Sequence, residues 1–323
     1  MSPTIEAPAR TAALAVDGLS VAFRTPGGRV QALTDAGFVV EPGDFLVVVG
    51  ESGSGKSVLA HAIMQLSPRN AEVSGSARLG DTELLALDDE QMRLMRGRHI
   101  AFIPQSPASA LNPVRRLVSL LTEIARARGL EHAGARDALV SGLEELGLDF
   151  DELARRYAHQ LSGGMQQRVV NALALVGQPE LVIADEPTSG LDADLVDATA
   201  TQLRRIAERG AAVLVITHDL ALAERLGGRL ALLYASYVVE LRPTAEFFRG
   251  PAHPYGQGLL GALPERGGTP IPGTPPELIA LPAGCTFAAR CPARMPECTA
   301  GRPDPYPVAD GHGLVRCLLH AGS

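Results

Sequence analysis

The sequence predicts an α/β fold built on a parallel sheet, followed by a loop-rich C-terminal region. Three observations carry this. The apolar run Phe45-Leu-Val-Val-Val49 leads into a glycine-rich loop at 50–57 and a helical pattern from Val58 to Leu66; strand, loop and helix in that order open a parallel unit. Two more apolar runs, 181–184 and 212–216, flank a helical stretch at 193–209 and read as strands buried on both faces. After about residue 244 proline and glycine become dense and periodicity fades, so a boundary is placed near 245, with a tail organised around cysteines.

Residues 14–49 read as strands joined by turns, 72–105 as strands around a short helix (Asp88–Arg96), and 114–157 as mostly helical, being rich in Leu, Ala, Glu and Arg at helical spacing. There is no internal repeat. With 323 residues, 46% of them hydrophobic, the chain can bury a substantial core. The net charge of −7 and the lack of a basic stripe weigh against direct nucleic-acid binding. No run of about eighteen apolar residues is present to span a bilayer, and the start, MSPTIEAPARTAALAV, lacks the basic, apolar and small-residue layout of a secretory signal. The expectation is a cytosolic protein that would serve a membrane only by docking on membrane partners. Lys56 is the sole lysine among 29 basic residues. A G+C-rich genome accounts for the arginine bias; the exception marks a place where a compact ammonium is needed.

That lysine lies in Gly50-Glu-Ser52-Gly53-Ser-Gly55-Lys56-Ser57, which matches G-x-x-x-x-G-K-[ST]. Glycines let the backbone curl so that successive N–H groups point at phosphate oxygens, and the following helix aims its positive end at the same place. Lys56 is expected to bridge the β- and γ-phosphates of ATP, and the Ser57 hydroxyl to ligate Mg²⁺. The fold class narrows to that of the phosphate-loop (P-loop) NTPases.

The strand at 181–184 ends in Asp185-Glu186-Pro187. Neighbouring strand residues face opposite ways, so the two acids should do different work. Asp185 is expected in the Mg²⁺ shell and Glu186 beside the attacking water, where general-base catalysis contributes about 10²–10⁴-fold.

Just before that strand lies Leu161-Ser162-Gly163-Gly164-Met165-Gln166-Gln167-Arg168. Here the sequence resembles the ATP-binding-cassette (ABC) family, whose signature is LSGGQ, and its GGM form is similar to the dipeptide/oligopeptide/nickel importer subgroup. Other elements of the family follow in order. Gln105, closing Ala101-Phe-Ile-Pro-Gln105, matches the Q-loop glutamine near Mg²⁺; Ser189-Gly-Leu-Asp192 matches the D-loop; His218 matches the switch histidine; Phe23 stands where an aromatic stacks on adenine. Pro107, Ser109 and Leu111-Asn112-Pro113, and then Pro251-Ala-His253-Pro254-Tyr255, match the subgroup's pattern, and GESGSGKSV is similar to the "D" subunit of dipeptide permeases. Pro104-Gln105-Ser106, Ser189-Gly190 and Ser236 depart from the family's usual residues, but no catalytic side chain is lost.

The resemblance implies an ABC nucleotide-binding domain at 12–245, with a RecA-like core, an antiparallel β subdomain and a helical subdomain at about 106–164, followed by an extension at 246–323. It implies that two such domains pair head to tail, so that Ser162, Gly163 and Gly164 contact nucleotide held by the partner, and that closure on ATP drives a permease. It further implies an ATPase at the cytoplasmic face of the inner membrane, coupled to uptake of di- or oligopeptides. The partners are two transmembrane permease subunits, a second ABC ATPase subunit or a second copy, and an extracytoplasmic solute-binding protein. Nickel or metal-chelate uptake is the alternative. A soluble cassette acting on nucleic acid or the ribosome is a further reading, which the single cassette and the absence of a coiled coil disfavour.

All four cysteines fall in the tail, as Cys285-x5-Cys291-x6-Cys298-x18-Cys317. Four clustered thiols in a reducing compartment point to metal or redox chemistry, and the residues alone leave an iron–sulfur cluster, free buried thiols, zinc and disulfides all open. The resemblance of Gly284-Cys285-x-Phe287-x-x-Arg290-Cys291-Pro292 to the subgroup's extension implies a 4Fe–4S cluster.

Overall fold

The computed structural model describes residues 13–191 and 193–322. Strands β1 (Leu14–Thr25) and β2 (Gly28–Val40) form an antiparallel hairpin. The chain then enters the central sheet as β3 (Phe45–Val49), turns through the phosphate loop into α1 (Lys56–Ile63), and returns to the hairpin as β4 (Ala71–Leu79) and β5 (Thr82–Glu83). After a short 3-10 segment at Leu84–Ala86, helix α2 (Asp89–Arg98) starts under a reciprocal cap: Asp88 accepts from the Gln91 N–H and the Gln91 side chain accepts from the Asp88 N–H. It leads into β6 (Ile100–Ile103).

The helical region expected at 114–157 is present and longer. It comprises α3 (Pro107–Ala110), α4 (Leu117–Arg128), α5 (His132–Glu145), α6 (Phe150–Leu153) and α7 (Gly163–Leu175). Helix α4 ends at Gly129, whose φ of 68° supplies the left-handed turn that a side-chain-bearing residue adopts only at a cost. The chain returns to the sheet as β7 (Leu181–Asp185), α8 (Ala193–Glu208), β8 (Ala212–Thr217), α9 (Leu220–Leu226), β9 (Arg229–Tyr234) and β10 (Tyr237–Pro243).

The strand order is β5-β4-β1-β2-β10-β9-β3-β8-β7-β6, with β3, β9, β8, β7 and β6 parallel to their neighbours along the stretch β9-β3-β8-β7-β6. Strict alternation explains why its central strands are apolar throughout. Val47, Val49, Val182, Ala184, Val213 and Val215 point into one core, shared with the helical region and the tail. Leu46, Val48, Leu181, Ile183, Leu214 and Ile216 point into the other, beneath α1 and the antiparallel hairpin.

The tail is loop-rich beyond residue 261, as expected, but its start is regular. It begins with two helices, α10 (Thr244–Arg249) and α11 (Pro254–Gly261), and carries a small hairpin of β11 (Tyr306–Pro307) and β12 (Leu314–Val315). Gly256, Gly258 and Gly261 weaken the helical signal of α11. At two of them the space is filled: a Cβ at Gly256 would lie 2.8 Å from Pro251 and one at Gly258 3.0 Å from Ile271, whereas Gly261 has open space around it. Strand β12 pairs with β10 through Glu240↔Val315 and Leu241↔Leu314, so the tail is sewn onto the main sheet. Among the described residues no helix is long and apolar enough to cross a membrane.

Candidate active site

Strand register places the sequence-predicted groups in one row. Val49 pairs with Thr217, Ile216 with Asp185, and Ala184 with Ile103. The residues that follow these pairs, Gly50, His218, Glu186 and Gln105, therefore leave the carboxyl ends of adjacent parallel strands, the edge at which open α/β sheets bind ligands.

The phosphate loop is shaped by close backbone approach. A Cβ at Gly50 would sit 2.1 Å from the Leu233 carbonyl oxygen, and one at Gly55 2.1 Å from that of Ala32, where φ is also 109°; neither position accepts a side chain. Gly55 caps α1, which therefore begins at Lys56 rather than at the expected Val58. Gly53 has a φ of 77° and open space around it, and Ser52 is exposed. The Lys56 side chain is 8% exposed and folds back on its own loop, with Nζ donating to the carbonyls of Gly50 at 2.8 Å and Glu51 at 3.0 Å. Burial pulls its pKa down, against the opposing pull of Glu186, Asp185 and Glu51.

Asp185 closes β7 in a desolvated position, which pushes its pKa up, while a hydrogen bond from Ser57 works the other way. Its Oδ1 is buried with no hydrogen-bond partner. An orphaned carboxylate oxygen beside a serine hydroxyl at a phosphate loop suits a hard divalent cation, so Ser57 and Asp185 could hold the Mg²⁺ that accompanies ATP.

Glu186 leaves the strand with φ 50°, a left-handed conformation that costs a non-glycine residue about 1–3 kcal/mol. The turn is held because the Glu186 N–H donates to Ile216 O at 2.8 Å and the Ser189 N–H donates to Glu186 O at 3.1 Å. The twist carries the carboxylate away from Asp185 and toward β8. Oε1 meets His218 Nδ1 at 2.8 Å, and Oε2 accepts from Thr217 Oγ1 at 3.1 Å and from the His218 N–H at 3.4 Å. The neighbouring acids are thus set in different surroundings, as strand alternation requires. Glu186 could take a proton from a water, with its carboxylate oriented by Thr217 and His218. The sequence reading missed Thr217, although it stands directly before the histidine that was singled out.

The other candidates lie farther out. Gln105 is exposed on the bend after β6. Ser162 is the N-cap of α7, accepting from the Met165 N–H at 3.3 Å, and is exposed together with Gly163; Gly164 is half-buried. A Cβ at Gly163 would meet nothing within 4 Å, so its lack of a side chain answers no contact inside this chain. Phe23 is half-buried against the hairpin's core, opposite Val30. Asp192 lies outside the described residues.

The tail gathers its thiols. Cys285, Cys291, Cys298 and Cys317 are free and all line one small cavity with His253, Phe287 and Met295. The Cys285 N–H donates to Cys298 O at 2.8 Å, which ties two of them across the fold. Burial pushes the Cys285, Cys291 and Cys317 thiols up, the last to about 11, so they are protonated at neutral pH. The four thiols converge on this cavity, and among the described residues no group of three or more His, Cys, Asp or Glu side chains is arranged to hold a metal ion. Four thiols in one cavity are a donor set that suits a cluster.

Comparison with known proteins agrees with this geometry. Residues 33–189 match the ABC transporter family, and residues 239–298 match the oligopeptide/dipeptide transporter C-terminal region. The dipeptide transport ATP-binding protein DppD of Bacillus subtilis is 40% identical over 316 residues, covering 95% of this chain and 94% of that protein. The oligopeptide transport ATP-binding protein OppD of Mycobacterium bovis is 41% identical over 335 residues; this chain spans 53% of that longer protein. Among solved structures, the dimeric bacterial ABC transporter cassette MJ0796 superposes with a TM-score of 0.64 at 25% identity, over 72% of this chain and 98% of that one. The phosphate loop, the acidic strand end and the matched tail thus agree, and the chain belongs to the ABC transporter family as an ATP-hydrolysing cassette with an oligopeptide/dipeptide-transporter type of C-terminal region.

Proposed function

We propose that this chain is the motor of an importer for di- or oligopeptides, docked at the cytoplasmic face of the membrane on two permease subunits. A second cassette, or a second copy of this chain, completes the pair, and an extracytoplasmic solute-binding protein delivers the cargo. The observation that carries the reading is the meeting of Lys56, Asp185, Glu186 and His218 at adjacent strand ends in a chain whose tail is of the peptide-transporter type. Residues 12–245 would be the motor and 246–323 the extension.

In this mechanism Lys56 exchanges its loop carbonyls for the β- and γ-phosphate oxygens of ATP, and the loop N–H groups of 50–57 cradle the chain of phosphates. Phe23 stacks on the base. Mg²⁺, held by Ser57 and Asp185 with Gln105 nearby, would neutralise charge on the phosphates. Glu186 accepts the proton of the attacking water while His218 faces the γ-phosphate. Ser162, Gly163 and Gly164, at the start of α7, cover the nucleotide of the opposing cassette. Binding favours the closed pair and hydrolysis releases it.

The finer reading of the tail is that Cys285, Cys291, Cys298 and Cys317 hold a 4Fe–4S cluster, supported by the convergence of four thiols on one cavity. Such a cluster would cross-link a region poor in regular structure. Loading displaces the thiol protons, since thiolates are the ligating form. Iron and sulfide analysis of anaerobically purified protein tests this; no iron, with four thiols titratable under denaturing conditions, overturns it.

The motor reading is tested by Glu186→Gln in the assembled transporter. The expected outcome is retained ATP binding with hydrolysis reduced by about 10²–10⁴-fold. Hydrolysis at the normal rate would require another base.

A further inference from the structure

Among the described residues the tail meets the phosphate loop at Glu51, whose N–H, carbonyl and carboxylate Oε2 are all engaged. Its carboxylate Oε2 accepts from Arg290 Nη1 at 2.9 Å, and its N–H donates to Tyr255 Oη at 2.9 Å. Its carbonyl accepts from Lys56 Nζ at 3.0 Å. Arg290 and Tyr255 both belong to the extension, 239 and 204 residues along the chain from Glu51. Neither is a surface accident. Tyr255 is fully buried and Arg290 is 8% exposed.

The guanidinium is itself clamped. Nε donates to Pro272 O at 2.9 Å and Nη1 also reaches Tyr234 Oη at 3.2 Å. Tyr234, Tyr255 and Phe287 pack as an aromatic cluster, with ring centroids 4.5–5.4 Å apart, beneath the contact. A buried ion pair with these hydrogen bonds fixes geometry more than it adds net stability. A further contact between tail and nucleotide-binding region lies at the β1–β2 hairpin, where Leu278 O accepts from the Gln31 N–H at 3.0 Å and Ile279 would lie 3.3 Å from a Cβ placed on Gly28.

We propose that Arg290 and Tyr255 are positioning residues for the ATPase: the extension holds Glu51 so that the phosphate loop stays open and Lys56 is poised one exchange of partners away from ATP. Neither residue touches nucleotide. They act by fixing the backbone of residue 51, whose carbonyl shares the lysine ammonium with Gly50 O. Without the brace the loop gains freedom that ATP binding must then remove, so the expected loss is in affinity for nucleotide rather than in the chemical step. The inference rests on the phosphate-loop reading of residues 50–57.

The test is a cycle of Arg290→Gln, Glu51→Gln and the double variant in the full chain. ATP binding in the presence of Mg²⁺ is measured by calorimetry, and KM and kcat in the assembled transporter. Each single change is expected to weaken ATP about ten-fold, equivalent to ~1.4 kcal/mol, with kcat little altered. The double variant should be no weaker than either single one, because both remove the same contact. Arg290→Lys, which keeps the charge but loses the fork, should recover part of the affinity. Should Arg290→Gln fail to fold, Tyr255→Phe removes only the acceptor at the Glu51 N–H and should still raise KM. Unchanged affinity in these variants, or losses that add fully in the double one, overturns the brace. Lys56→Ala separates the two levels: unchanged ATP binding there would sink the phosphate-loop reading itself, whereas its loss beside normal Arg290→Gln binding sinks only the brace.

Discussion

The nucleotide cleft and the thiol pocket each collect reactive side chains, but they do so by opposite means. In the cleft, Lys56, Asp185, Glu186 and His218 sit at the ends of strands whose every residue is buried, so the sheet's register brings them together. In the tail, the four cysteines hang on turns and short 3-10 segments joined by isolated backbone bonds such as Cys285 N–H to Cys298 O. The cleft is polar, with a carboxylate oxygen left unpaired; the pocket is apolar, with thiols held neutral. A regular scaffold can carry unsatisfied polar groups in readiness for a ligand. An irregular one is held by what fills it.

The largest effect should come from the cleft. Lys56→Ala removes the one ammonium facing the phosphates, and hydrolysis is expected to fall by about 10²–10³-fold, while the thiols of the tail react with a thiol reagent at their usual rate. A change in thiol reactivity would break the separation drawn here. An intermediate effect is expected from backbone crowding. At Gly284 a Cβ would lie 2.2 Å from Cys298 O, and at Gly55 2.1 Å from Ala32 O. Gly284→Ala should therefore loosen the tail by about 1–3 kcal/mol and expose its thiols, whereas Gly55→Ala should impair ATP binding and leave the thiols shielded. Equal thiol exposure in both variants would mean that the two regions open as one unit.

At neutral pH the smallest effect is that of His253, which shows only in acid. Burial holds His253 neutral, with its pKa down to about 3, and the nearby His320 pushes the same way. The unfolded chain takes up this proton below the ordinary value of 6.5, but the folded one does not until near 3. The contribution is therefore fully present above pH 6.5 and is lost as the pH falls toward 3, at no more than ~1.4 kcal/mol per pH unit. The buried Glu240, whose pKa burial raises, accepts from the Ala252 and His253 N–H groups rather than from the ring. His253→Asn keeps an acceptor for the Tyr255 N–H and should flatten the acid limb in urea unfolding; an unchanged slope would assign that limb to other groups.

What was legible in the sequence follows the same division. The phosphate loop, the acidic strand end and the residues around His218 are local signals, because each is one strand end plus the turn after it. Their mutual approach was expected and is made by register and by the Glu186–His218 contact. Helices α10 and α11 were not expected, because Pro254 and three glycines mask a helix that tertiary packing imposes. The cysteine spacing could not say that four thiols share a cavity. Nor could it show that Arg290 reaches Glu51, since that contact depends on how a proline-rich segment folds back over β9 and α11. Arg290 and Tyr255 stood inside runs already noted for their resemblance, with no role to give them.

The pairing of Leu314–Val315 with Glu240–Leu241 has a consequence for synthesis. The central sheet can assemble as soon as β10 has emerged, yet its ladder at 240–241 stays open until residue 315 has left the ribosome. During that interval an unpaired strand segment and the reduced thiols of Cys285, Cys291 and Cys298 coexist in a nascent polypeptide, which makes it a period exposed to misassociation.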